Sequence, residues 1–382
     1  MSTTQTTPVE NVALPQLPRG NSWAPSLRGI GLATRIELNR RRPTRKGWIF
    51  YGIAVGLMVV ISVLVAVIAG SSRTSIPLEL NILMVLGLGI LISTSLAATS
   101  INGDSTEGVL APLQMTRLTA GDIALGKLLA SWGVSVFALV SLSPFLIYSY
   151  TRGLWSIGSL LIVVAAILFV VLMATAVGLA WSSIAARAIA SVALAHLTLG
   201  FLMIGTLVLF GVLTPLTGEE VTITNNYRDW ESVTEEQAND PAFDYNALPC
   251  VESSYTGTIF HTDRLAPLIL VNPFVAVTET APLADPEVVA KQGGGDGVFS
   301  TLHMLVASAQ ITTDIAHLGY DECAATDGMS PWTEDAVEQS QYPRQPWWGL
   351  GTYAVLLVGS MVLVVNRLRV PYKKLRGGTR VA

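Results

Sequence analysis

Six long apolar segments decide what this chain can fold into. They run over about Trp48–Ala69, Leu80–Ala98, Leu128–Tyr148, Ser156–Trp181, Ala188–Leu213 and Trp347–Val365. About 20 apolar residues in a helix cross the ~30 Å hydrocarbon layer of a bilayer, and each segment is near or above that length. A backbone in lipid must satisfy its own N–H and C=O groups, so apolar stretches of this length predict helices. Trp48, Trp155, Trp181, Trp347 and Trp348 fall at the predicted ends, where an indole favours the membrane interface. Only 13% of the 382 residues are charged, against about 25% in an ordinary soluble domain.

The charges that remain are sorted, and they set the orientation. Before Trp48 there are eight Lys and Arg against two Asp and Glu, and after Asn366 six against none; between Thr217 and Pro346 there are four against twenty-one. Basic residues near span ends stay in the cytoplasm. Both termini are therefore expected there, which an even number of spans allows. The acidic insertion, with the short links at Arg73 and Arg152, is expected outside. The expected fold is an all-α polytopic membrane protein of six transmembrane helices, with an α/β extracytoplasmic insertion between helices five and six. Its parts are a cytoplasmic tail and elbow (1–47), spans one to five (48–216) with an inner loop at 101–127, the outer domain (217–346), span six (347–366) and a basic tail (367–382).

Residues 1–22, rich in Ser, Thr and Pro, carry little to bury and are expected to be disordered. From Ser26, apolar Leu27, Ile30, Leu32, Ile36 and Leu38 alternate with a basic cluster at Arg40, Arg41, Arg42, Arg45 and Lys46. This predicts an amphipathic helix on the membrane surface, with a solvated basic linker as the alternative. In the insertion, GEEVTITNNYRDWESV has the alternation of a strand followed by a turn. Leu265–Thr278 is apolar but too short to span, and is interrupted by Pro267 and Pro273; it suits either the outer membrane surface or the inside of the domain. After a glycine-rich hinge at 293–297, the residues Val298, Leu302, Leu305, Val306, Ala309 and Ile315 suggest an amphipathic helix. Cys250 and Cys323 would pair in an oxidising compartment and remain two separate thiols in a reducing one.

Chemistry is sparse. No GxxxxGK[ST] run is present to cradle a nucleotide, and no HExxH, GxSxG or CxxC motif. No cofactor, metal or nucleic-acid partner is expected on this chain, and no enzyme activity. His261 and Asp263 could supply two metal ligands, but solvated side chains are the expected reading. His196, in span five about two turns beyond Arg187, reads either as a pathway-lining or interface residue or as a neutral histidine bonded to a neighbouring helix. Gly52 and Gly56 form a GxxxG on span one, a spacing that lets helices approach closely.

The stretch between spans two and three, STEGVLAPLQMTRLTAGDIALGKLL over 105–129, resembles the first cytoplasmic loop of type-2 family ABC exporter permeases. Glu107, Gly108, Val109, Leu110, Leu113, Thr116, Leu118, Thr119, Gly126 and Lys127 occupy the matching positions. Val109 and Arg117 stand where that family usually has Thr and Pro. The resemblance implies that this loop docks on a separate ATPase subunit, which would bind ATP and Mg and drive transport. Val109, Leu110, Leu113 and Leu118 would form the seat, with Glu107 and Arg117 fixing its register. It also implies a dimer with a second permease, spans one and five facing each other near His196. An outer domain of this size is larger than the short link usual there. The alternative for the loop is an interfacial helix that caps the bundle. The alternative for the protein is a non-transporting receptor or assembly factor whose acidic outer domain binds a partner.

Overall fold

The computed structural model describes residues 23–41, 45–69, 74–141, 143–152, 155–239, 243–244, 247–283, 285, 287, 297–311, 323 and 339–369. The N-terminal and C-terminal tails, the link at Arg73 and most of the glycine-rich hinge lie outside these residues, as do Arg42, Ile315 and His317. Helix α1 (Leu27–Arg40) precedes α2 (Arg45–Ala69) and α3 (Ile76–Ala98). Two short helices, α4 (Ser100–Thr106) and α5 (Leu110–Met115), lead to α6 (Ala120–Val140), α7 (Ser143–Arg152) and α8 (Ile157–Ile184). Next come α9 (Ala188–Gly200), a π-helical turn at Phe201–Gly205, and α10 (Thr206–Leu213). Six stretches are long and apolar enough to cross a membrane: Gly47–Ile68, Ile76–Thr106, Ala120–Val140, Ile157–Ile184, Ala188–Thr217 and Pro346–Leu368. The molecule is thus a six-span helical membrane protein.

Spans two, three and four form the packed centre, with 50–56% of their apolar windows buried; spans one and five bury only 12% and 11%. Leu78, Ile82, Leu86 and Ile90 repeat every fourth residue of α3 and form one buried stripe. That stripe belongs to the same core as Val163, Ile167, Val170 and Val171 of α8. In lipid this packing rests on close van der Waals approach rather than on water exclusion. Gly178 shows the fit: a Cβ there would lie 2.9 Å from Ala97 Cβ and 3.0 Å from Thr94 O.

The insertion begins with an antiparallel ribbon, β1 (Gly218–Arg228) and β2 (Cys250–Phe260), with Val221 opposite Gly257. A single helical turn, α11 (Glu235–Ala238), lies between the strands. The Cys250–Cys323 disulfide is formed. The apolar stretch 265–278 folds as two short helices, α12 (Ala266–Leu270) and α13 (Pro273–Thr278). Both prolines occupy first-turn positions, so they begin helices instead of only breaking one. This pair is buried against the ends of spans five and six that flank the insertion. Asn272 caps α13 and donates through Nδ2 to Met203 O (2.7 Å), a carbonyl of the π-helical turn. Tyr353 OH donates to Val271 O (2.6 Å) from the final helix, α15 (Pro346–Leu368), which is span six.

The remaining helix, α14 (Val298–Gln310), differs from its sequence pattern. Phe299, His303 and Val306 are buried, while Leu305 is 62% exposed. Its first turn sits on the carboxylate of Glu79, at the start of span two, which accepts from Phe299 N (2.9 Å). A negative charge at a helix N-terminus is favourable, which explains an acid at this otherwise apolar position.

Candidate functional site

Span three starts eight residues earlier than its apolar run suggests. Thr119 and Asp122 form a capping box: Asp122 N donates to Thr119 Oγ1 (3.0 Å) and Thr119 N to Asp122 Oδ2 (2.9 Å). Gly126 and Lys127 therefore lie inside α6, not at the end of a loop. The sequence expectation of a loop over 101–127 is corrected accordingly. Residues 100–106 are helical, and the irregular part is confined to 107–109 and 116–119.

Lys127 can enter the helix because its charge is matched. Its Nζ donates to Glu37 Oε2 (3.0 Å), Asp104 Oδ2 (2.5 Å), Ser100 O (3.2 Å) and Ser100 Oγ (3.2 Å). Arg41 Nε donates to Glu37 Oε1 (2.8 Å); Arg40 reaches Asp104 (2.6 Å) and Glu107 (3.0 Å). Three acids, Glu37, Asp104 and Glu107, thus meet three bases, Arg40, Arg41 and Lys127. Burial pushes the Glu37 carboxyl up, but Lys127 and Arg41 outweigh it and hold its pKa below the usual carboxylate value.

The same cluster fixes the elbow helix to span three. Helix α1 turns Gly29, Ala33 and Glu37, four residues apart, toward α6, whereas Leu27, Leu32, Ile36 and Leu38 face outward. A Cβ on Gly126 would lie 2.4 Å from Ala33 Cβ, and one on Gly29 2.4 Å from the Asp122 carboxylate. Asp122 Oδ1 also accepts from Ser26 N (2.6 Å), at the N-cap of α1. The two helices are joined by polar bonds at both ends and by small residues between.

The loop itself is folded back on the bundle. Gly108 has φ +71°, a conformation that favours glycine, and this reverses the chain between α4 and α5. Leu110 is buried with Ile101, Ile123, Val364 and Leu368, and Leu113 and Leu118 pack on the same cluster. Gln114 Nε2 donates to Leu368 O at the end of span six (3.0 Å). Val109 is half-buried, and the outward surface of the loop is made by Glu107, Gly108, Pro112, Thr116 and Arg117. The sequence brings the expected residues to one end of the bundle but divides them. Leu110, Gly126 and Lys127 hold the loop in place, and Thr116 and Arg117 are exposed.

The other candidates lie apart from this end. His196 is half-buried, its Nδ1 2.9 Å from Val192 O in its own helix and its Nε2 3.3 Å from Ser95 Oγ in span two. Gly52 and Gly56 lie on the exposed side of α2 with no atom within 4 Å of a built Cβ. His261 bonds Glu219 (2.9 Å) and is 3.9 Å from Asp263. Among the described residues, no group of three or more His, Cys, Asp or Glu converges to hold a metal ion. No family model, curated protein or solved structure matches the chain.

Proposed function

We propose that this chain is the membrane-spanning permease subunit of an ABC-type exporter, with both termini and the 101–127 region in the cytoplasm of a plasma-membrane protein. A separate ATPase subunit, carrying ATP and Mg, docks on the surface formed by Pro112, Thr116 and Arg117. The observation that carries the reading is the resemblance over 105–129. It is supported by a fold in which that stretch makes a short exposed surface tied through buried side chains to the elbow and to spans three and six. A docking surface built this way passes displacement to the spans as a rigid lever. Spans one and five, with much of their apolar surface uncovered, leave room for a second permease alongside Gly52, Gly56 and His196 as well as for lipid. An amphipathic or lipid-like substrate suits a pathway that opens toward the bilayer.

The test is affinity purification of the tagged protein in mild detergent, with mass spectrometry of what accompanies it. The reading predicts a stoichiometric P-loop ATPase that is lost in Thr116→Glu/Arg117→Glu, a variant that leaves the buried cluster untouched. Recovery of only partners bound through the acidic insertion, with no ATPase, would favour the receptor or assembly-factor reading.

A further inference from the structure

His303 and Glu279 lie at the opposite end of the bundle from the loop, with side chains only 1% and 0% exposed. His303 Nε2 is 3.0 Å from Tyr342 O, and Nδ1 is 2.8 Å from Glu279 Oε1. Glu279 Oε2 accepts from Gln345 N at 2.9 Å. A carbonyl only accepts, so Nε2 carries a proton. A ring protonated there and otherwise neutral leaves Nδ1 as an acceptor, and an ionised carboxylate is an acceptor too. Two acceptors 2.8 Å apart repel. One further proton therefore belongs to the contact, on Nδ1 facing a carboxylate or on Oε1 facing a neutral ring. Either placement leaves the pair neutral overall, as a buried site requires.

Three segments meet at this proton: the end of α13, helix α14, and residues 339–345, which lead into span six. The other charged and titratable groups on the surrounding elements are Arg344, Glu79, His261, Asp263, Arg264, Tyr353 and Tyr342, most of them bonded elsewhere. Arg344 donates to Thr278 O (2.8 Å) and Pro282 O (2.7 Å), and Glu79 accepts from Phe299 N. His261 bonds Glu219, with Asp263 near its other nitrogen and Arg264 following on the same turn. Tyr353 OH is committed to Val271 O, and Tyr342 supplies the carbonyl that receives Nε2.

We propose that His303 and Glu279 form a single-proton site that latches the lead-in of span six to the insertion. Loss of the proton sets Nδ1 against a carboxylate and opens the latch. A second proton leaves a buried imidazolium without a counter-ion and opens it as well. This inference stands on the hydrogen-bond geometry and is independent of the exporter reading.

The test uses the full chain in detergent, whose native cysteines are joined and silent to thiol reagents. Ser340→Cys, at a position 1% exposed beside the latch, is labelled with a maleimide; Leu305→Cys, at an open position of α14, reports the pH dependence of the reagent itself. The ratio of the two rates passes through a minimum as pH is raised. On the alkaline side it rises toward about tenfold per pH unit, the slope for one proton. In a Glu279→Gln background the amide donates to Nδ1 while its oxygen accepts from Gln345 N. Every bond is then kept with no proton to lose, and the ratio stays low. A ratio that does not change with pH in the parent, or that rises equally in Glu279→Gln, overturns the proposal. If Glu279→Gln is not recovered folded, His303→Gln decides instead: an alkaline slope that survives removal of the ring is equally fatal.

Discussion

Replacing Lys127 by Met removes a buried cation bonded to both Glu37 and Asp104; Arg40, which also lies within 4 Å of both, is one-third exposed. The Lys127 side chain is 3% exposed, Glu37 9% and Asp104 5%, so water cannot take its place without opening α1 from α6. Arg40 and Arg41 remain, and the cluster passes from balanced to one excess negative charge. Breaking a buried pair by removing one partner costs about 3–5 kcal/mol, because it leaves a charge buried and uncompensated. At about 2–4 °C per kcal/mol for chains of a few hundred residues, the unfolding midpoint in detergent should fall by on the order of 10 °C. Glu37→Met/Lys127→Met restores the net charge balance: Arg40 keeps Asp104 and Glu107, and Arg41, which loses its carboxylate, keeps the Leu96 carbonyl. Replacing both partners by apolar groups is often close to neutral, so the double variant should recover at least half of the loss. Thermal unfolding followed by size-exclusion chromatography measures the parent, Lys127→Met, Glu37→Met and the double variant. A Lys127→Met midpoint within about 2 °C of the parent, or a double variant no better than the sum of its singles, would refute the account of the cluster.

Acid should weaken the same contact. A carboxyl whose pKa is lower folded than unfolded gives stability that is complete above the unfolded value, about 4.3 for Glu, and is lost as pH falls through the folded value. The unfolding midpoint should therefore drop below about pH 4, and Glu37→Gln, less stable at neutral pH, should show a flatter acid limb. Gly126→Ala, whose new methyl meets Ala33, should cost about 1–3 kcal/mol by overpacking. Gly52→Ala, with nothing nearby, should be neutral in the isolated protomer; equal effects in thermal unfolding would contradict the packing described. Reduction of Cys250–Cys323, which are 73 residues apart, should cost the insertion about 4 kcal/mol. The loss should appear as faster proteolysis between 217 and 345, with the spans intact.

The spans were legible because lipid imposes a length and a composition on each helix separately. The first strand of the ribbon was legible from the alternation around Val221 and Ile223; its partner, Cys250–Phe260, was not. The charge cluster was not, because the side-chain bonds that tie α1 to Ser100, Asp104, Glu107 and Lys127 join residues 63 to 90 positions apart and no local pattern announces them. Glu37 reads locally as one exposed acid on a basic helix, and Lys127 reads as the end of a loop. One local signal was available: Thr119 followed three residues later by Asp122 is a helix-start pattern, and it places Lys127 within the span. His303 escaped for a related reason. Leu302 and Leu305 outweighed it in the apolar pattern of α14, whereas the buried side turns on Phe299, Val306 and the carboxylate of Glu279.

The central claim is that the surface around Thr116 and Arg117 receives an ATPase. With the native cysteines joined, Thr116→Cys introduces a lone reactive thiol for a short photo-activated cross-linker in native membranes. The account predicts a single adduct to a P-loop ATPase, diminished when Arg117 is also made Glu. Adducts only to lipid, or none, from a protein that remains folded and membrane-inserted would contradict it.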